Sequence, residues 1–254
     1  MVRSGVQGEL GNGREPRASR AKTYRRVATV LCCRLNMAPR TLAELETFLD
    51  EALAWRRAEL AVLAVEIARK EKDSPGAPLT RALARGGTAL LYAHWEGFAK
   101  EACEAYLDFV AVRRLRYEEL GDAFLMTALK ALLRRLDSGD TAAAADAIDV
   151  VRRPMMARAR VPRKAVINTR SNLRHDVLVE MCRAVGLPTE DFLTRKQFID
   201  RSLCDARNEI AHGRLYYPEA ETFDQHREDV LQMLTNLKAT IIQYARSSLY
   251  KVSP

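Results

Sequence analysis

Two apolar stripes at helical spacing, separated by one short break, restrict this chain to a helical architecture. Leu42, Leu45, Leu49, Leu53, Leu60, Leu63 and Ile67 fall on one side of a helix of about 3.6 residues per turn. After KEKDSPGAP the spacing returns in Leu91, Trp95, Phe98, Ala102 and Phe109, on a second long helix from about Leu79 to Arg116 that tolerates Gly86, Gly87 and Gly97. A short polar break between two long helices predicts an antiparallel pair. Shorter helices are predicted from about Tyr117 to Leu136 and, with Thr141 as N-cap, through AAAADAIDVV. Helical signals resume from about Asn172 to Val185, stop at GLP, and return in TRKQFIDRSLCDARNEIAHGR. A last helix from about Glu219 to Ala245 turns Phe223, Val230, Leu234, Leu237 and Ile241 inward. No segment alternates apolar and polar residues long enough to be a strand. The expected fold is all-α, a four- to five-helix up-and-down bundle with a helical, basic subregion inserted between its second and third long helices.

The formal net charge of +8 invites a nucleic-acid reading until it is divided along the chain. Residues 1–36 hold eight Lys or Arg against two acids, and the remaining 218 residues hold 33 basic and 31 acidic side chains. The body is therefore close to neutral, and only local clustering can argue for nucleic acid. Residues 1–36 lack apolar periodicity and read as a disordered basic leader. Its apolar run VATVLCC is too short, and follows too long a basic prelude, for a signal peptide. Met37 is followed by APRTLAELETFLDEAL, a capped amphipathic helix, so the expectation is a start misassigned upstream of Met37 and one domain over 37–250. The cysteines at 32, 33, 103, 182 and 204 form no CxxC pair, which suits reduced thiols and offers no metal-ligand spacing. No apolar run approaches the roughly 20 residues that cross a bilayer. The chain is expected to be cytoplasmic, with no membrane contact, no cofactor and no metal.

Chemistry concentrates in RNEIAHG, Arg207 to Gly213. On its helix Ile199, Leu203, Ala206 and Ile210 form an apolar stripe, while Arg201, Asp205, Asn208 and His212 form a polar one. Arginine is a phosphate-binding fork, and histidine titrates near neutral pH. The spacing alone is weak, since Arg170 and His175 reproduce it, and the bland reading makes His212 a helix C-terminal residue beside a C-capping Gly213. Two neighbours add chemistry: Asn208 lies one turn before His212, and Asp205 supplies a carboxylate able to tune either cation. A second cluster, residues 152–174, holds eight basic side chains and no acid. Arg163, Lys164, Arg170 and Arg174 are its candidates for contacting phosphates, against the alternative of a solvated loop. Glu96 on the second helix is a candidate to orient Arg207 across the bundle, with a surface salt bridge as the plainer alternative. Tyr216 and Tyr217 could stack on bases, although packing at a helix turn explains them as well. His94 and Trp95 read as packing residues, and His226, in the exposed acidic start of the last helix, has no assigned role.

RNEIAHG resembles the motif of the HEPN families (higher eukaryotes and prokaryotes nucleotide-binding), an Arg, a polar first position and a His a few residues on. LLYAHWEGFAKEACEAYLDFV and NTRSNLRHDVLVEMCRAVGLP, residues 90–110 and 168–188, resemble a bacterial branch linked to toxins and phage defence. The resemblance covers roughly residues 40–247 and implies a four- to five-helix bundle that dimerises. By that resemblance Arg207 and His212 match the catalytic pair of metal-independent ribonucleases, and Asn208 matches the polar position. Cleavage of RNA without a metal needs a base for the 2′-hydroxyl, charge stabilisation at phosphorus and an acid for the 5′-oxygen. One chain offers one such histidine, so a homodimer that joins two motif helices would complete the set and leave 2′,3′-cyclic phosphate ends. The expected partners are RNA, a second copy and an antitoxin or defence-system protein. The alternative is a catalytically inactive HEPN-like module that binds a nucleotide or a partner.

Overall fold

The computed structural model describes residues 38–152, 156–163 and 166–252. The leader and Lys164 lie outside the described residues. Helix α1 (Leu42–Asp73) opens on a capping box in which the Thr41 hydroxyl accepts from the Glu44 N–H and the Glu44 carboxylate accepts from the Thr41 N–H. The chain turns through Ser74–Ala77, with Gly76 at φ 64°, and Pro78 starts α2 (Pro78–Ala111) where its missing N–H costs nothing. These two helices and the last one, α8 (Ala220–Arg246), pack together as a bundle. Leu45, Leu49, Leu53, Leu60 and Ile67 of α1 meet Leu91, Trp95, Phe98 and Phe109 of α2 and Phe223, Val230, Leu234 and Ile241 of α8 in one core. The all-α bundle is thus as its periodicity predicts, and no strand occurs among the described residues.

Between α2 and α8 the chain makes the inserted subregion. A 3₁₀ turn at Tyr117–Glu119 precedes α3 (Asp122–Asp137), and α4 (Thr141–Arg152), α5 (His175–Ala184) and α6 (Glu190–Leu193) follow. Three predicted starts are corrected. Thr141 is the first residue of α4 and not its cap, which is Asp140, whose carboxylate accepts from the Ala142 and Ala143 N–H groups. The helix expected from Tyr117 is broken at Leu120 and Gly121, which are extended because Gly121 N–H donates to the Tyr250 carbonyl of the C-terminal tail. The helix expected from Asn172 begins at His175, because Arg170 and Ser171 take left-handed φ values of 53° and 55° and Arg174 is extended. His226, in a helix start read as exposed, is half-buried against the Phe198 ring, and burial pushes its pKa down. His94 and Trp95 are both buried, as packing residues.

The α2 glycines mark how tightly the bundle closes. A Cβ on Gly87 would lie 2.9 Å from the Phe223 ring and 3.2 Å from both Ile67 and Leu63, whereas one on Gly86 meets nothing within 4 Å. Gly87→Ala is therefore expected to destabilise by about 1–2 kcal/mol, overpacking exceeding the gain in helix propensity. Gly86→Ala, with only the propensity gain, should stabilise by up to about 1 kcal/mol. Urea midpoints of the two variants check this; equal shifts would show that the three helices are not in close contact at Gly87.

Candidate active site

The motif helix is continuous through two geometries. Residues Phe198–Asp205 are a π-helical stretch, in which the Ala206 N–H reaches back to the Arg201 carbonyl, and Ala206–Ala211 are the α-helix α7. The apolar stripe carries through the wider turn, with Cys204 joining it. Ile199, Leu203, Cys204 and Ala206 are buried, Ile210 is half-buried, and Arg201 and Asp205 stay exposed. Such wide turns are found most often at functional positions, where they re-aim side chains that a regular helix would place elsewhere.

Helix α2 receives α7 with Arg85, Tyr92 and Glu96, residues that share one side of it at helical spacing. The Arg207 guanidinium lies over the Tyr92 ring, 4.3 Å from its centroid, and its Nη2 is 3.8 Å from Glu96 Oε2. Nη2 also donates to the Ser171 carbonyl at 2.6 Å, and Nη1 to Asn208 Oδ1 at 3.0 Å. Ser171 is one of the two left-handed residues, so its unusual backbone presents the carbonyl that holds the arginine. Tyr92 is fixed in turn: its phenol oxygen accepts from the Leu173 N–H at 2.7 Å, and burial raises its pKa well above the usual phenol range. Arg207 is thus a positioned cation, three-quarters buried, with N–H groups of its fork left over.

His212 is placed differently. It occupies the C-cap of α7, and Gly213 at φ 70° follows, its N–H donating to the Ile210 carbonyl while the Arg214 N–H donates to Glu209. This pair of bonds is the Schellman arrangement, so Gly213 caps the helix as its position predicts. The imidazole is exposed and meets no side-chain partner among the described residues. Five residues apart, Arg207 and His212 diverge by roughly 140° around the axis at about 100° per residue. Arg207 points into the α2 face and His212 into solvent.

The turn that carries His212 is held by a residue that sequence reasoning missed. Arg85 Nη1 donates to the carbonyls of Arg214 at 2.6 Å and Tyr216 at 3.1 Å, and Nη2 to that of Ile210 at 3.3 Å. A guanidinium here neutralises the negative end of α7 and ties off carbonyls that the helix leaves unpaired. Tyr217 lies 5.8 Å from both Arg81 and Arg85, which places it in packing around this clamp. Arg85 stands 125 residues away from Ile210 along the chain, so no local signal marked it. Arg85→Ala is expected to speed amide exchange at Gly213 and Arg214 by about tenfold while leaving the bundle core protected. Unchanged exchange there would show that Gly213 alone sets the turn.

The remaining candidates separate. Asp205 accepts from Arg174 Nη2 rather than meeting Arg207 or His212, so it is spent on a cation of the inserted region. The Asn208 side chain likewise contacts Arg207, and only its backbone carbonyl, which accepts from the His212 N–H, meets the histidine. Asp200 caps α5 by accepting from the His175 N–H at 2.8 Å, which binds the loop 168–174 to the motif helix from the other side. The basic segment is acid-free only along the chain. In space Arg160 meets Asp146, Arg163 is bidentate on Asp108, Arg170 meets Glu180 and Arg174 meets Asp205. Arg163 is remote from Arg207, because Asp108 lies three turns beyond Glu96, or roughly 18 Å along α2 at 1.5 Å per residue. Arg174, by contrast, is next to the motif helix. Cys204 is buried with its thiol pushed up to about 12 by desolvation, so it is no nucleophile. No group of three or more His, Cys, Asp or Glu side chains gathers to hold a metal among the described residues. Nor is any helix among them long and apolar enough to cross a membrane.

A three-helix core that buries one side of an Arg/His-bearing helix and leaves its histidine outward defines a class of helical domain with a single candidate site per chain. A HEPN family model matches residues 45–250, and the chain belongs to that family. HEPN domains are often ribonucleases. No curated protein and no solved structure matches the chain.

Proposed function

We propose that this chain is a metal-independent endoribonuclease whose working unit is a homodimer. The observation that carries the reading is the contrast within one motif: Arg207 is immobilised on Tyr92, Glu96 and Ser171 with donors to spare, while His212 stands exposed and unpartnered at a helix end. A fixed guanidinium suits the charge that builds up on phosphorus-bound oxygens. An outward imidazole suits proton transfer to a group brought in from outside. In the reaction the 2′-hydroxyl loses its proton to one histidine and its oxygen bonds to phosphorus. The bond from phosphorus to the 5′-oxygen then breaks, and that oxygen takes a proton from a second histidine. The products are a 2′,3′-cyclic phosphate and a 5′-hydroxyl.

Because each chain has one His212, the base and the acid come from two copies related by a two-fold axis. The same axis puts two Arg207 side chains beside one phosphate. Asn208, bonded to Arg207, steadies the fork, and Arg174 with Asp205 borders the motif helix. A toxin or phage-defence effector acting in the cytoplasm, with a cognate inhibitor, is the role this activity serves.

One observation favours a second reading, a silent module for binding a nucleotide or a partner. Arg207 already serves Ser171 and Asn208, and a purely structural arginine would do the same. Light scattering together with an RNA cleavage assay at the same concentration separates them. A dimer that cuts RNA, and stops cutting when His212 is replaced, supports the enzyme. A monomer at assay concentration contradicts the shared site, and an inert dimer contradicts catalysis.

A further inference from the structure

The inserted subregion contains a groove that the motif leaves unexplained. It runs between α3 and α5, has a volume of about 1000 Å³, and is also lined by Asn168 and Arg170. Its walls are joined at the base by the Thr127 hydroxyl, which donates to the Ala184 carbonyl at 3.0 Å. Met126, 53% exposed, and Met181 give it an apolar floor. Lys130 and Arg134 stand on the α3 wall and Arg183 on the α5 wall. All three are exposed, and none of them has a carboxylate partner among the described residues. This sets them apart from Arg135 and Arg170 in the same groove, which are taken up by Asp140 and Asp146 and by Glu180. The acid without a partner, Asp122, sits in the first turn of α3, where it complements the helix dipole, two turns from Lys130.

We infer that this groove binds single-stranded RNA and leads the strand to Arg207. The inference rests on the ribonuclease reading for the identity of its ligand. Unpaired cations on both walls match a phosphate backbone, whose condensed counterions are released into solution as each cation meets a phosphate. An apolar, methionine-lined floor suits the faces of bases and not a fully hydrated anion. A volume at the upper end of ligand sites takes more than one nucleotide. Continuity decides the direction. Arg170 lines the groove, and the next residue, Ser171, supplies the carbonyl that holds Arg207. RNA recognition thereby moves from the basic segment, whose arginines are mostly neutralised in space, to three cations on regular helices.

The test is binding of a fluorescein-labelled, unstructured 12-nucleotide RNA to the full chain, followed by anisotropy across a salt series. His212→Ala serves as the background so that the RNA survives. Arg134→Glu/Arg183→Glu in that background should weaken binding at least tenfold. It should also flatten the salt dependence by about 1.4, two phosphate contacts at roughly 0.7 each for a single strand. Lys70→Glu/Lys72→Glu, the same charge change outside the groove, should alter affinity less than about threefold. Equal losses in the two variants, or retained RNA affinity in the groove variant alongside lost binding of a mononucleotide, would overturn the inference. The outcomes stay distinct from those of the function assay. A wild type that does not cut RNA but loses affinity on groove reversal keeps the groove and removes the enzyme, and the converse result does the opposite.

Discussion

His212→Ala is expected to lower RNA cleavage by about 10²–10⁴-fold, the usual worth of a positioned acid or base, with folding stability changed by no more than about 0.5 kcal/mol. Both halves of the expectation come from the same geometry. The imidazole is exposed and has no hydrogen-bond, ion-pair or ring partner among the described residues, so its removal opens no cavity and strands no partner. The backbone at residue 212, with φ −86° and ψ 9°, lies in the bridge region at negative φ, where histidine and alanine are alike, so the exchange adds no backbone strain. The helix end is tied by Gly213 and by Arg85, and neither depends on the imidazole. A structural histidine would give the reverse pattern, with loss of stability and little change in rate. Cleavage assays beside urea unfolding of the same preparation read both quantities.

Arg207→Ala is expected to cost about 10²–10³ in cleavage, as removal of a charge-stabilising donor does, and in this case stability falls too. The Ser171 carbonyl and Asn208 lose a donor, Tyr92 loses its stacked cation, and Glu96, 18% exposed, is left as an unpaired carboxylate. Discounted for the solvent that reaches Arg207, the loss is about 1–2 kcal/mol. Arg207→Lys separates the two effects. An ammonium retains the charge near Glu96, and so part of the stability, but cannot form the planar fork that serves a carbonyl, an amide and a phosphate together. Its cleavage should stay within about tenfold of the alanine variant. Recovery of full rate by lysine would mean that a point charge suffices and that the fork geometry carries nothing.

The division between what the residues disclose and what they do not follows contact range. The stripes of α1, α2 and α8 are local and periodic, so their core faces can be read directly, from Leu45 to Ile241. The Gly213 cap was also visible, from glycine at a helix end, whereas Glu96, a candidate to orient Arg207 beside the plainer reading of a surface salt bridge, lies 3.8 Å from the guanidinium. What stayed hidden depends on partners far along the chain. The π-helical turn at Phe198–Asp205 leaves no trace in an apolar pattern that continues through it. Arg85 finds its carbonyls only after α2 and α7 pack. The acid-free look of residues 152–174 was misleading for the same reason: Asp108, Asp146, Glu180 and Asp205 come from four other elements. Charge counted along a sequence is not charge counted in space, and here the difference moves the strand-binding surface to α3 and α5.

Metal-independent cleavage is tested most directly by incubating the purified chain with RNA in excess EDTA and analysing the ends of the products. Cleavage is expected to persist in EDTA, to leave 2′,3′-cyclic phosphate and 5′-hydroxyl ends, and to disappear in His212→Ala. Cleavage that needs added divalent metal, products with 5′-phosphate ends, or undiminished cutting by the His212 variant would contradict that mechanism.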